Sequence, residues 1–172
     1  YKPTGLNRTY PNVINFEGVH GLEQQKFADS SIDQVTYDVT IPFIRQLAGP
    51  MDYTQGAMRN ATKENFAPVY SEPMSQGTRC RQLAQYVVFE SPLNMLCDSP
   101  SNYMKEEECT KYIATVPTVW DTTISLAGEI GKYVAIARKS GEDWYIGAMT
   151  NWDSRTIEID FSFLEEGVYE VD

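Results

Sequence analysis

The grammar of the chain changes once, at Pro117. Before it, short apolar strings run into polar or acidic loops three times: residues 12–16 into Glu17-Gly18, residues 47–51 into Asp52-Tyr53-Thr54, and residues 94–97 into Asp98-Ser99-Pro100. Helical stretches separate them. A strand feeding a loop and then a helix, repeated, is the unit of parallel α/β folds, with the loops at the C-terminal ends of the strands. After Pro117 the pattern is strand upon strand. The expected architecture is therefore α/β: the C-terminal portion of a (β/α)8 TIM barrel over residues 1–116, then the beginning of an antiparallel β-sandwich domain over residues 117–172.

Periodicity predicts helices over residues 22–28, 32–47, 78–90 and 105–113. In the third, Leu83, Tyr86, Val87 and Glu90 recur at helical spacing, and the run Ser75-Gln76-Gly77-Thr78 supplies a start. Strands are expected over residues 132–138, 143–150 and 155–161, which are rich in Val, Ile, Tyr, Trp and Thr, with turns at 139–142 and 151–154. Alternation is plainest in the last, where Ile157, Ile159 and Phe161 share one face.

Composition excludes several classes of function. Fourteen Lys and Arg against 24 Asp and Glu leave a net charge of −10, which repels polyanions, so nucleic acid is not an expected partner. No apolar run is long enough to span a membrane as a helix. Cys80, Cys97 and Cys109 lack CxxC spacing and have one histidine, His20, to assist them, which reads as buried unpaired thiols. The chain opens at Tyr1 without Met and stops within a strand-like run, as a piece of a longer polypeptide would. A barrel with only its last strands has an open edge, so the chain by itself is expected not to fold alone. Asn7-Arg8-Thr9 and Asn60-Ala61-Thr62 match the short glycosylation pattern.

The densest chemistry lies in Glu17-Gly18-Val19-His20-Gly21-Leu22-Glu23. Two carboxylates bracket a Gly-x-x-Gly loop directly after a candidate strand. On a regular helix they would diverge, but on a tight glycine loop they can converge. Converging carboxylates serve as oxygen ligands for a hard cation or as acid and base in glycoside hydrolysis. The plainer reading is a solvated loop charge and a helix N-terminal charge.

The block Lys2-Pro3-Thr4-Gly5-Leu6-x-Arg8-Thr9-Tyr10-Pro11-Asn12, followed by Glu17-Gly18-Val19-x-Gly21-x-Glu23, resembles the catalytic region of glycoside hydrolase family 97. The likeness continues through Pro42-Phe43-x-Arg45, residues 49–56, residues 90–100, residues 117–121 and residues 144–152, and so covers nearly the whole chain. It implies a three-part enzyme: an N-terminal β-supersandwich, a central (β/α)8 barrel and a C-terminal β domain. Members are exo-acting α-glucosidases or α-galactosidases that need Ca²⁺ at the active site. The resemblance implies that Glu23 is the general acid and that Glu17 and Glu23 supply oxygens to Ca²⁺. It implies an oligosaccharide or other α-glycoside as substrate, the rest of the same polypeptide as partner, and a periplasmic or secreted location. The opening, residues 1–6, and residues 15–21 are more similar to the retaining α-galactosidase branch; the alternative is an inverting α-glucosidase of the same family, whose base would lie outside this chain.

Other residues have two readings each. His20 could touch sugar hydroxyls or be a surface or capping group. Asp52 and Tyr53 could face substrate or form a turn. Asp98 could support the site or cap a helix. Gln55 and Thr123 depart from the family's Pro and Glu. The run Glu106-Glu107-Glu108 reads as a solvated helix face. Trp144 and Trp152 could form a sugar platform or pack between parts. A reading of another class is a non-catalytic carbohydrate-binding or interaction module, since neither nucleophile nor base lies within the chain.

Overall fold

The computed structural model describes residues 5–27, 29 and 31–171; Tyr1 to Thr4, which open the family-like block, and Ala28, at the end of the first predicted helix, lie outside them. Two short helical pieces come first: α1, Leu6–Thr9, and a 3-10 turn, Leu22–Lys26, where a helix was expected over 22–28. The predicted helix over 32–47 is broken into α2, Gln34–Asp38, α3, Ile41–Ile44, and a 3-10 turn, Gln46–Ala48. Pro42 is the reason: with no N–H to donate and a ring in the way of the preceding turn, it can start α3 but cannot continue α2. Asp33 caps α2 by accepting from the Thr36 backbone N–H at 3.0 Å.

Four two-residue strands follow the same region: β1, Thr54–Gln55, β2, Asn60–Ala61, β3, Ser75–Gln76, and β4, Met95–Leu96. β1 pairs with β4 and β2 with β3, both parallel, and Phe16 bridges Met51 in parallel. Among the described residues this parallel pairing does not form a barrel sheet. Closure needs a full ring of strands, and these pairings are two parallel two-residue ladders and one isolated bridge.

The longest helix among the described residues is α4, Arg79–Val88, close to the predicted 78–90. Thr78 caps it, its side chain accepting from the Arg81 N–H at 3.2 Å. α5, Pro100–Lys105, was not expected; Ser99 caps it and Pro100 occupies its first turn. α6, Glu107–Thr115, begins two residues later than the predicted helix. Glu106 is not a solvated face residue as expected, because it pairs with Arg79 at 2.7 Å, while Glu107 does pair along the exposed face with Lys111.

The only three-stranded sheet among the described residues is antiparallel: β5, Thr122–Glu129, β6, Tyr133–Ser140, and β7, Asp143–Thr150, in that order. The second and third were predicted. The first was not, and residues 155–161, expected to be a strand, have no ladder partner and run as irregular chain. Arg155 explains the turn away: its guanidinium donates to Thr150 Oγ1, Asn151 Oδ1 at 2.6 Å and the Lys132 carbonyl at 3.2 Å, folding the chain back on the end of β7.

Helix α4 lies on β6 and β7, at the join between the two parts. Gly147 makes this possible, since a methyl group there would stand 2.8 Å from Val87 Cβ and 3.0 Å from the Ala84 carbonyl oxygen. One apolar cluster spans both sides of Pro117: Leu22, Val39, Ile41, Met51, Tyr53, Val88 and Phe89 with Val134, Ile136 and Met149. Each large side chain so buried contributes about 1.5–3 kcal/mol relative to exposure. Arg138 on β6, 1% exposed, donates to the Val87 carbonyl at 2.6 Å, the Val88 carbonyl at 3.2 Å and Thr123 Oγ1 at 3.0 Å. It satisfies the orphan carbonyls at the end of α4 with a cation, as the helix dipole favours. Trp152 also ties the parts together, donating Nε1–H to Asp33 at 2.9 Å, and Trp144 packs on Phe163; packing, one of the two readings of these tryptophans, is what their contacts show.

Candidate active site

The loop from Glu17 to Glu23 is held from beneath at each step. Phe16 is paired with the next strand, and its carbonyl accepts from the Asp52 N–H at 2.8 Å. Arg45 reaches across from the end of α3 and donates to the Phe16 and Glu17 carbonyls, each at 2.8 Å, and to the Gly49 carbonyl at 3.0 Å. Burial lowers the pKa of Arg45, but a guanidinium stays charged and keeps these bonds. The Glu17 side chain itself is exposed. Gly18 then turns the chain with φ +69°, a conformation costly for any residue with a Cβ.

Gly21 serves by what it lacks. Its φ of −75° suits any residue, yet an added Cβ would stand 2.6 Å from Thr54 Oγ1 and would overlap the Glu23 carboxylate. The Glu23 side chain thus folds back over Gly21 and accepts a hydrogen bond from the Thr54 hydroxyl. Glu23 is the second residue of the 3-10 turn, in which Leu22 and Gln25 are buried.

Beneath the loop lies a polar core. Asp38 is buried and accepts from Tyr53 at 2.7 Å and Gln34 at 3.0 Å on one oxygen, and from Gln85 at 2.7 Å on the other, with Arg81 at 3.6 Å. Burial raises its pKa, and the Arg81 charge and the three hydrogen bonds oppose that rise. Arg81 also donates to the Val35 and Thr150 carbonyls, both at 2.6 Å, so the network reaches β7. Tyr53, one of two residues with a substrate-facing reading, is 1% exposed and belongs to this core. Asp98 is structural: its carboxylate accepts from the Met58 N–H at 2.7 Å and from Asn102 at 2.6 Å, while Ser99 caps the helix. Cys80 is exposed, contrary to expectation; Cys97 is half-buried, with its thiol pushed up to about 12 by burial, and no disulfide forms among the three.

The oxygen donors of Glu17 and Glu23 suit a hard cation chemically. Among the described residues, however, no group of three or more His, Cys, Asp or Glu is arranged to hold a metal ion. Sequence reasoning singled out Glu17, Glu23 and the loop glycines. It missed the supports Gln34, Asp38 and Thr54, whose residue types carry no signal at their spacings, and it quoted Arg45 without a role.

Comparison with known proteins follows the same outline. Residues 119–172 match the family described as glycosyl-hydrolase 97 C-terminal, oligomerisation. The chain is 67% identical over 169 residues, 98% of its length, to a retaining alpha-galactosidase of Bacteroides thetaiotaomicron, and 31% identical over 157 residues to a probable retaining alpha-galactosidase of Streptomyces bingchenggensis. Among solved structures, a glycoside hydrolase family 97 enzyme from Pseudoalteromonas sp. strain K8 matches with a TM-score of 0.84 and 38% identity, covering 96% of this chain and 26% of that one. A beta-arabinopyranosidase matches with a TM-score of 0.73 and 28% identity, over 87% of this chain and 24% of that one. The fold of this chain thus recurs within larger glycosidases. The chain belongs to glycoside hydrolase family 97. It spans about a quarter of the length of the curated relatives, 26% and 22%.

Proposed function

We propose that the chain is part of an exo-acting glycoside hydrolase that cleaves terminal α-galactosides with retention. The observation that carries this reading is the 67% identity, along nearly the whole chain, to a retaining alpha-galactosidase. In this reading residues 1–116 are the C-terminal part of the catalytic (β/α)8 barrel and residues 117–172 the start of the C-terminal β domain. The parallel pairings, with Glu17, Asp52 and Asp98 each just beyond a strand end, support the first assignment. The family description supports a role for residues 119–172 in assembly of the intact protein, and a periplasmic or secreted location follows the resemblance.

Glu23 donates the proton to the leaving glycosidic oxygen, and then, as its conjugate base, takes one from the water that completes the reaction. Thr54 and Gly21 fix where its carboxyl group stands. Glu17 and Glu23 would be two of the oxygen donors that hold Ca²⁺, with further ligands from outside the chain, and the ion when bound would supply fixed positive charge at the site. The nucleophile also comes from elsewhere in the polypeptide. Glu23→Gln in the intact protein is expected to lower kcat for α-galactosides with poor leaving groups by about 10²-fold or more, and much less for activated aryl galactosides. Near-wild-type turnover of the poor leaving groups would remove Glu23 from the acid role.

A further inference from the structure

His20 stands three residues from each glutamate of the loop, and three separate contacts hold it. Its backbone N–H donates to the Tyr37 hydroxyl at 2.8 Å, its carbonyl accepts from Gln34 Nε2 at 2.8 Å, and its ring nitrogen Nδ1 lies 2.9 Å from Gln34 Oε1. The Tyr37 ring also meets the imidazole edge-on, with centroids 6.1 Å apart. Two of these hydrogen bonds fix the His20 backbone and one fixes its ring.

The network also decides where the imidazole proton resides. Gln34 could in principle be turned end for end, exchanging amide nitrogen and oxygen. Its Nε2 faces a carboxylate oxygen of Asp38 and the His20 carbonyl, both acceptors only, so reversing it would set oxygen against oxygen twice. Gln34 Oε1 is therefore the atom facing Gln25 Nε2, at 3.1 Å, and His20 Nδ1. An amide oxygen cannot donate, so Nδ1 must carry a hydrogen. In the neutral ring this leaves Nε2 with its lone pair, the reverse of the tautomer that free histidine favours in water. Nε2 has no hydrogen-bond partner among the described residues.

We propose that His20 is a substrate-binding residue: the Asp38–Gln34 pair holds its imidazole in the Nδ1–H tautomer, and Nε2 accepts a hydrogen bond from a hydroxyl of the bound sugar. This rests on the loop being the glycosidase site. The first test needs no activity. In the intact protein labelled with isotopic histidine, nitrogen–proton correlation spectra at a pH where the ring is neutral should show His20 protonated on Nδ1, its signal identified by its loss in His20→Gln. An Nε2–H signal would overturn the proposal even if Glu23→Gln behaves as expected.

The second test uses two variants. Asn at this position places an amide where Nδ1 was and nothing where Nε2 was, whereas Gln reaches the Nε2 position. His20→Asn should raise KM for α-galactosides about tenfold, with a smaller change in kcat, and His20→Gln should recover part of that loss. A purely structural His20 gives the opposite order, with Asn tolerated and Gln damaging, and that order would overturn the proposal. Loss of activity in Glu23→Gln bears only on the acid assignment, so the two readings fail separately.

Discussion

A single methyl group separates Gly21 from alanine, and the space it would need is occupied by the Glu23 carboxylate and the Thr54 hydroxyl. Because the backbone at Gly21 is ordinary, Gly21→Ala carries no conformational strain and acts by displacing Glu23. The expected outcome is a fall in kcat of at least about tenfold, with little change in the urea unfolding midpoint, since misplacing a catalytic group is far more costly to rate than to fold. Asp38 offers a residue-scale test of another kind. Burial raises its pKa, so its stability contribution is present below its ordinary value of 3.8 and is lost as pH rises through the folded value. Asp38→Asn lacks that dependence. The gap in unfolding free energy between wild type and variant should therefore narrow as pH increases; a widening gap would mean that Arg81 outweighs burial. Neither feature shows in the sequence, where Gly21 is simply a loop glycine and Asp38 follows Tyr37 like any polar helix residue.

At the scale of elements, Arg138 joins the sheet to the end of α4. Replacing it with Leu leaves the Val87 and Val88 carbonyls unpaired in the interior, and a loss of about 3 kcal/mol is expected in chemical denaturation of the intact protein. A shift below about 1 kcal/mol would mean that water replaces the guanidinium there. Element types were legible where hydrophobic periodicity was unbroken, as in α4, β6 and β7. They were hidden where one residue interrupts the pattern. β5 carries a bulge between Ser125 and Ala127, which breaks the two-residue period, so the strand went unread while the cleanly alternating 155–161 run was read as one. Pro42 divides the region of α2 and α3 for the reason given by its missing N–H. The glutamines at 34, 76, 82 and 85 are buried, and no polarity scale places them inside; only their hydrogen bonds do so, as when Gln82 Oε1 accepts from the Gly56 N–H at 2.9 Å.

Over the whole molecule, the apolar core crosses Pro117, so the helical part and the sheet stabilise one another. Removing residues 117–172 from the intact protein would uncover Met51, Val88 and Phe89 and leave Arg81 without the Thr150 carbonyl. The expected result is loss of soluble protein, seen as aggregation on size-exclusion chromatography; a monodisperse, active truncation would show that the sheet is dispensable to the fold. The texture change at Pro117 was plain in the sequence, but the contacts across it were not, because Gly147 and Arg138 look ordinary until α4 is laid against them.

That seating bears on how such proteins exchange parts. Helix α4 and the sheet form a matched pair of surfaces on opposite sides of the most visible junction in the chain. Recombination at Pro117 between divergent relatives would give a chimera whose helix meets a sheet shaped for another partner. Functional crossovers should keep α4 and residues 122–150 from one parent, so lineages that swap the sheet would be expected to carry the helix with it.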